Sequence, residues 1–147
     1  MLRNRLRQPQ AKWALVLLSL VPFVYLCAGV YFDNLGPNPA EYLIRASGDL
    51  TLRFLCITLL ITPLRIITQW PEWLLFRRSL GLLTFFYACI HALCYSLLDM
   101  SWEWDEIAQD IVKRPFIAVG VAGMLLLTAL AATSFNAAVK AMGAKRW

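Results

Sequence analysis

Histidine is almost missing from this chain: His91 is the only one in 147 residues. No site built from several imidazoles can therefore come from this sequence alone. Charge is sparse too, at 16% against about 25% in an ordinary soluble domain. The four cysteines, Cys27, Cys56, Cys89 and Cys94, include no CxxC pair and lie inside apolar runs. That argues against a disulfide framework or a zinc site and for small packing side chains. None of the nine carboxylates falls within the uncharged cores of those runs, which removes the buried acid that proton- or cation-coupled transport uses. There is no nucleophile–base pair and no glycine-rich phosphate loop. The net charge of +5 does not point to nucleic acid, because the basic residues gather at the borders of apolar runs.

What the sequence does have is hydrophobic length. Apolar residues make up 60% of the chain and are concentrated in four runs, so the fold class is all-α, a polytopic membrane helix bundle of one domain. The spans are expected at about residues 13–32, 46–64, 80–98 and 116–134. The first, Trp13 to Phe32, is too long for a signal-peptide core and is not followed by a small-residue cleavage site; Pro22 should kink it. DNLGPN, residues 33–38, reads as a turn, with Asn38 as helix cap and Pro39 as the first helical residue. The second helix is expected from Ala40 to Thr62, closed by Thr62, Pro63, Leu64 and Arg65. Arg53 within it is either paired with Asp49 or solvated at the border.

The second connection holds Arg65, Arg77 and Arg78 against Glu72, with Trp70 and Trp73 as interfacial indoles. After the third span comes an acidic loop with Asp99, Glu103, Asp105, Glu106 and Asp110. Ile107, Ile111 and Val112 there predict a short amphipathic surface helix anchored by Trp102 and Trp104. Pro115 opens the fourth span, where Ala118 and Ala122, Val119 and Gly123, and Ala129 and Thr133 fall at the spacing of close helix contacts. The tail carries Lys140, Lys145 and Arg146. Basic and acidic borders alternate in a way that places both termini in the cytoplasm.

His91 is the one ionisable residue deep in a span. It lies about 10 Å from the Leu98 end and about 16 Å from the Leu80 end at 1.5 Å per residue, in the outer half of the membrane. Tyr87, Ala88, Cys94 and Tyr95 share its face, a lining of phenols and small side chains that suits a flat macrocycle. Two readings stand. In one, His91 is an axial ligand of haem iron, its other nitrogen oriented by an acceptor such as the Tyr87 carbonyl. In the other, it hydrogen-bonds a neighbouring helix and does nothing more. A second axial ligand within this chain would have to be Met1, Met100, Met124 or Met142, of which Met100 is nearest the right depth.

Three stretches resemble one family: LGPNPAEYLIRASGDLTLRFLCITLLITPLR (residues 35–65), RRSLGLLTFFYACIHALCYSLLD (residues 77–99) and KRPFIAVGVAGMLLLTALAATSFNAAVKAMGAKRW (residues 113–147). With TPLR, RRxLGL, the HxxxY element of His91 and Tyr95, KRP and the closing GxKRW, they are similar to the haem-binding membrane subunit of the bacterial protein-methionine-sulfoxide reductase system. This is the MsrQ or YedZ family of the ferric-reductase-like transmembrane superfamily. The resemblance implies a six-helix bundle of the bacterial inner membrane carrying haem b, with His91 as haem ligand and so as its metal-binding residue. It implies electrons drawn from quinone or a cytoplasmic flavin reductase, with FMN as a further cofactor. They would pass to a periplasmic molybdopterin-containing methionine-sulfoxide reductase, whose chemistry belongs to that partner. Family members continue past the GxKRW motif with further histidines and two more spans, so the chain is expected to be C-terminally truncated or completed elsewhere. The alternative function is a non-redox membrane anchor or assembly partner, or an inactive fragment.

Overall fold

The computed structural model describes residues 9–134. Its helices are α1 (Pro9–Tyr31), α2 (Pro39–Thr68), α3 (Leu74–Cys94), α4 (Trp104–Lys113) and α5 (Pro115–Ser134). A single 3₁₀ turn, Pro71–Trp73, precedes α3, and a π-helical turn, Tyr95–Asp99, follows it. The chain is all-α, and four helical stretches are long and apolar enough to cross a membrane: Gln10–Tyr31, Pro39–Thr68, Pro71–Asp99 and Pro115–Ser134. The chain divides into two compact units, one up to Cys94 and one from Tyr95 onward.

In the first unit α2 and α3 run antiparallel, and the sequence spacing shows why they meet. Ser47, Phe54, Thr58 and Ile61 on α2 are separated by seven, four and three residues, and Leu80, Thr84, Tyr87 and His91 on α3 by four, three and four. Such alternation keeps one seam facing the partner helix. Along it Phe54 stacks on Tyr87 with centroids 4.9 Å apart, and the Thr58 and Thr84 hydroxyls lie 3.2 Å apart. Each threonine also donates to the carbonyl four residues back, so no hydroxyl enters the apolar seam unsatisfied. On α1, Phe23 meets Phe86 edge-on at 5.3 Å, and the Ser19 carbonyl accepts from the Tyr87 hydroxyl at 2.6 Å.

The ends of α2 divide between expectation and correction. Asn38 caps its start, accepting from the Glu41 amide at 3.3 Å, and Pro39 occupies the first turn. At its far end Pro63 does not close the helix, which continues to Thr68 and stops at Gln69 with φ +56°. In apolar surroundings a backbone that left the helix would lose its hydrogen bonds with no water to replace them, so one missing donor costs less than unwinding. Arg53 pairs with Asp49 at 2.6 Å while both stay more than half exposed, so the two readings of that arginine describe one arrangement. Arg45 repeats it with Glu41 at 2.7 Å.

In the second unit the Met100 amide donates to the Tyr95 carbonyl at 3.2 Å, the five-residue spacing of a π turn. The chain then turns through Ser101 and Trp102, both at positive φ, into α4. Acidic Asp105 and Glu106 in the first turn of α4 and Lys113 in its last complement the helix dipole. Its inward face is Ile107, Asp110 and Ile111; Val112, expected to share it, points outward at 84% exposure. On α5, Thr128, Thr133 and Ser134 donate to carbonyls of their own helix. A Cβ built on Gly120 or Gly123 would meet nothing within 4 Å, so among the described residues this small-residue face makes no close approach there.

Candidate functional site

His91 lies in the last turn of α3, with its ring against the first half of α2. Nδ1 is 3.1 Å from the Ile44 carbonyl oxygen and 3.3 Å from Ser47 Oγ. Ser47 is fully buried, and its hydroxyl donates to the Leu43 carbonyl at 2.6 Å, as serines within apolar helices do. Gly48 supplies the clearance. A Cβ built there would sit 3.0 Å from His91 Cε1 and 3.2 Å from Nδ1, tight enough that the ring would have to shift by a few tenths of an ångström. The same missing Cβ leaves the carbonyl of Ile44, one turn earlier, open towards α3. Nε2 makes no hydrogen bond among the described residues.

The neighbours foreseen from helical spacing divide. Tyr87 is fully buried, with its ring on Phe54 and its hydroxyl on Ser19, so it is a post between three helices rather than a wall free for a ligand. Its carbonyl is not the acceptor for His91; that role falls to Ile44, across the helix pair. Ala88 is buried and Cys94 half-buried. Tyr95 opens the π turn, and its hydroxyl donates to Asp110 at 2.7 Å. Asp110, at 8% exposure, also pairs with Arg114 Nε at 3.0 Å. Met100 and Met124 belong to the second unit; Met1, Met142 and the basic tail lie outside the described residues.

An imidazole anchored through one nitrogen with the other unclaimed offers a metal a single bond. Among the described residues no three His, Cys, Asp or Glu side chains come together. Such a donor set suits a metal that arrives with most of its ligands already in place.

The family described as ferric reductase like transmembrane component matches residues 47–147. The chain belongs to that family. It is 56% identical over 142 residues to the protein-methionine-sulfoxide reductase heme-binding subunit MsrQ of Polaromonas naphthalenivorans, covering 97% of this chain and 65% of the relative. It is 50% identical to the MsrQ of Azospira oryzae, over 92% of this chain and 58% of the relative. Magnetosome protein MamZ of Magnetospirillum gryphiswaldense is 41% identical over 89% of this chain and 21% of its own length. The chain thus spans about three fifths of the length of the MsrQ relatives it matches. No solved structure matches it. Membership in this transmembrane family, with four apolar helices, makes it a multi-pass membrane protein. The resemblance to MsrQ seen in its motifs holds over most of its length.

The ferric-reductase-like match begins at Ser47 and so takes in Ser47, Gly48 and His91, while Ile44 lies just ahead of it. Sequence reasoning found the imidazole but not Ile44, Ser47 and Gly48. The available signal was the small pair Ser47–Gly48 in RASGDL, one small-residue step ahead of the bulky run from Leu52 to Leu55.

Proposed function

We propose that this chain is a membrane electron-transfer component that holds a b-type haem through Nε2 of His91. The observation that carries the reading is the seating of its single histidine: Nδ1 against the Ile44 carbonyl and Ser47, Nε2 without a partner among the described residues. In apolar surroundings an Nε2 lone pair finds no water to answer it, and a metal would do so. The names of the MsrQ relatives, heme-binding subunits, support the same reading. Haem fits this donor set because the porphyrin supplies four nitrogens, leaving the protein to give axial ligands. When bound, it supplies one-electron iron chemistry. The chain's own part is to orient the imidazole and keep water from the ring through the apolar seam below it.

Depth agrees from both helices. Ser47 lies eight residues beyond Pro39, about 12 Å along α2, and His91 about 10 Å from Leu98. In the proposed topology both ends face the periplasm of a bacterial inner membrane, with the two termini cytoplasmic. Electrons would enter from quinone or a flavin carrier such as FMN on a cytoplasmic reductase. They would leave to a periplasmic molybdopterin methionine-sulfoxide reductase, across a short distance from an outer-half haem. The domain is proposed as one ferric-reductase-like transmembrane domain over residues 1–147.

The test is spectroscopic. Purified protein should show a reduced b-type α-band that His91→Ala removes. A band unchanged in that variant overturns the ligand assignment, and the absence of any such band from the unsubstituted protein leaves the non-redox anchor as the better reading.

A further inference from the structure

We propose that the step Ser47–Gly48 on α2, with the Ile44 carbonyl, is a seat that fixes the tautomer of His91 before any cofactor arrives. Ser47 acts in it as a positioning residue. The inference rests on the haem-ligand reading for its purpose but not for its geometry. A carbonyl oxygen only accepts, so the 3.1 Å approach of Nδ1 to Ile44 is attractive only if Nδ1 carries the proton. Ser47 agrees, because its hydroxyl has the Leu43 carbonyl at 2.6 Å and the Ile44 carbonyl at 3.1 Å to donate to, and donation to either leaves oxygen lone pairs for Nδ1 at 3.3 Å. Both neighbours therefore accept from Nδ1–H, and the lone pair of the neutral ring is left on Nε2.

Gly48 completes the seat. Its would-be Cβ lies 3.0 Å from Cε1, 3.2 Å from Nδ1 and 3.6 Å from Nε2, so the ring packs against space that a Cβ would crowd. Fixing the tautomer and ring angle in advance removes a reorganisation that a free imidazole would undergo on binding metal. The acceptors behind Nδ1–H also make the ligand more basic and favour the more highly charged iron.

Because His91 is the only histidine, protein labelled with ¹⁵N-histidine gives one imidazole spectrum without site assignment. In haem-free full chain in lipid bilayers at mildly alkaline pH, solid-state NMR should show a protonated Nδ1 and a bare Nε2. A protonated Nε2, or an average of the two tautomers, overturns the seat whether or not haem is bound. In haem-loaded protein, Ser47→Ala should raise the midpoint potential, since one acceptor behind the ligand is lost while Ile44 remains. An unchanged potential removes Ser47 from the positioning role. Gly48→Ala should tilt the ring and change the EPR signature of the ferric haem; an unaltered signature would show that the glycine is not needed for clearance. Retention of the α-band in His91→Ala would fell the ligand assignment alone, leaving the tautomer measured on haem-free protein to stand or fall separately.

Discussion

Tyr87 is reached by no solvent, so its hydroxyl has to be answered within the protein. The Ser19 carbonyl does this from the turn before Pro22, where the proline ring already disturbs the backbone ladder of α1. The ring and the hydroxyl carry unequal shares. Tyr87→Phe keeps the stack on Phe54 and forfeits one interhelical hydrogen bond, about 1 kcal/mol in a membrane protein. Tyr87→Ala empties the middle of three helices and should cost about 3–5 kcal/mol. Unfolding in mixed micelles, followed for both variants, checks the ratio; equal losses would mean that the hydroxyl, not the ring, holds α1 to α3.

Helix α4 is held by Asp110, which receives the Tyr95 hydroxyl on one oxygen and Arg114 on the other. Asp110→Ala removes the acceptor of the Tyr95 hydroxyl and leaves the half-exposed Arg114 to water, and should lower the local opening energy of α4 by about 1–2 kcal/mol. Tyr95→Phe leaves the ion pair and should lower it by about half as much. Amide exchange over residues 104–113 reads both directly, and unchanged protection in Asp110→Ala would show that Ile107 and Ile111 suffice. The element scale is also where sequence reasoning divides. Four apolar runs, the Asn38–Pro39 start and the amphipathic stretch after Asp99 are local patterns and were legible. Three features were not. Pro63 reads as a stop in sequence because that rule comes from helices whose freed carbonyls meet water, which a span does not offer. The π turn at Tyr95 leaves no local signature in residue type. Ser47, 44 residues from its histidine, looked like a small neutral residue because its partner is across a helix pair.

At the scale of the whole molecule, function depends on which ends of the helices face outward. The connection between α2 and α3 is bordered by Arg65, Arg77 and Arg78, whereas the connection before α4 and the first turn of α4 carry the exposed Asp99, Glu103, Asp105 and Glu106. Basic borders stay in the cytoplasm, so the acidic connection, and with it the His91 end of α3, should face out. Replacing Cys27, Cys56, Cys89 and Cys94 by alanine allows single cysteines to report this. Asp105→Cys should react with a membrane-impermeant maleimide added outside intact inner-membrane-bounded cells, whereas Gln69→Cys should react only once the membrane is opened. Reversed labelling would put the imidazole next to a cytoplasmic donor and away from any periplasmic acceptor. Labelling of both from one side would mean that the stretch Pro71–Asp99 does not cross. Because the seat lies about 10–12 Å from one end of each helix, the membrane face to which His91 is nearer follows from this result.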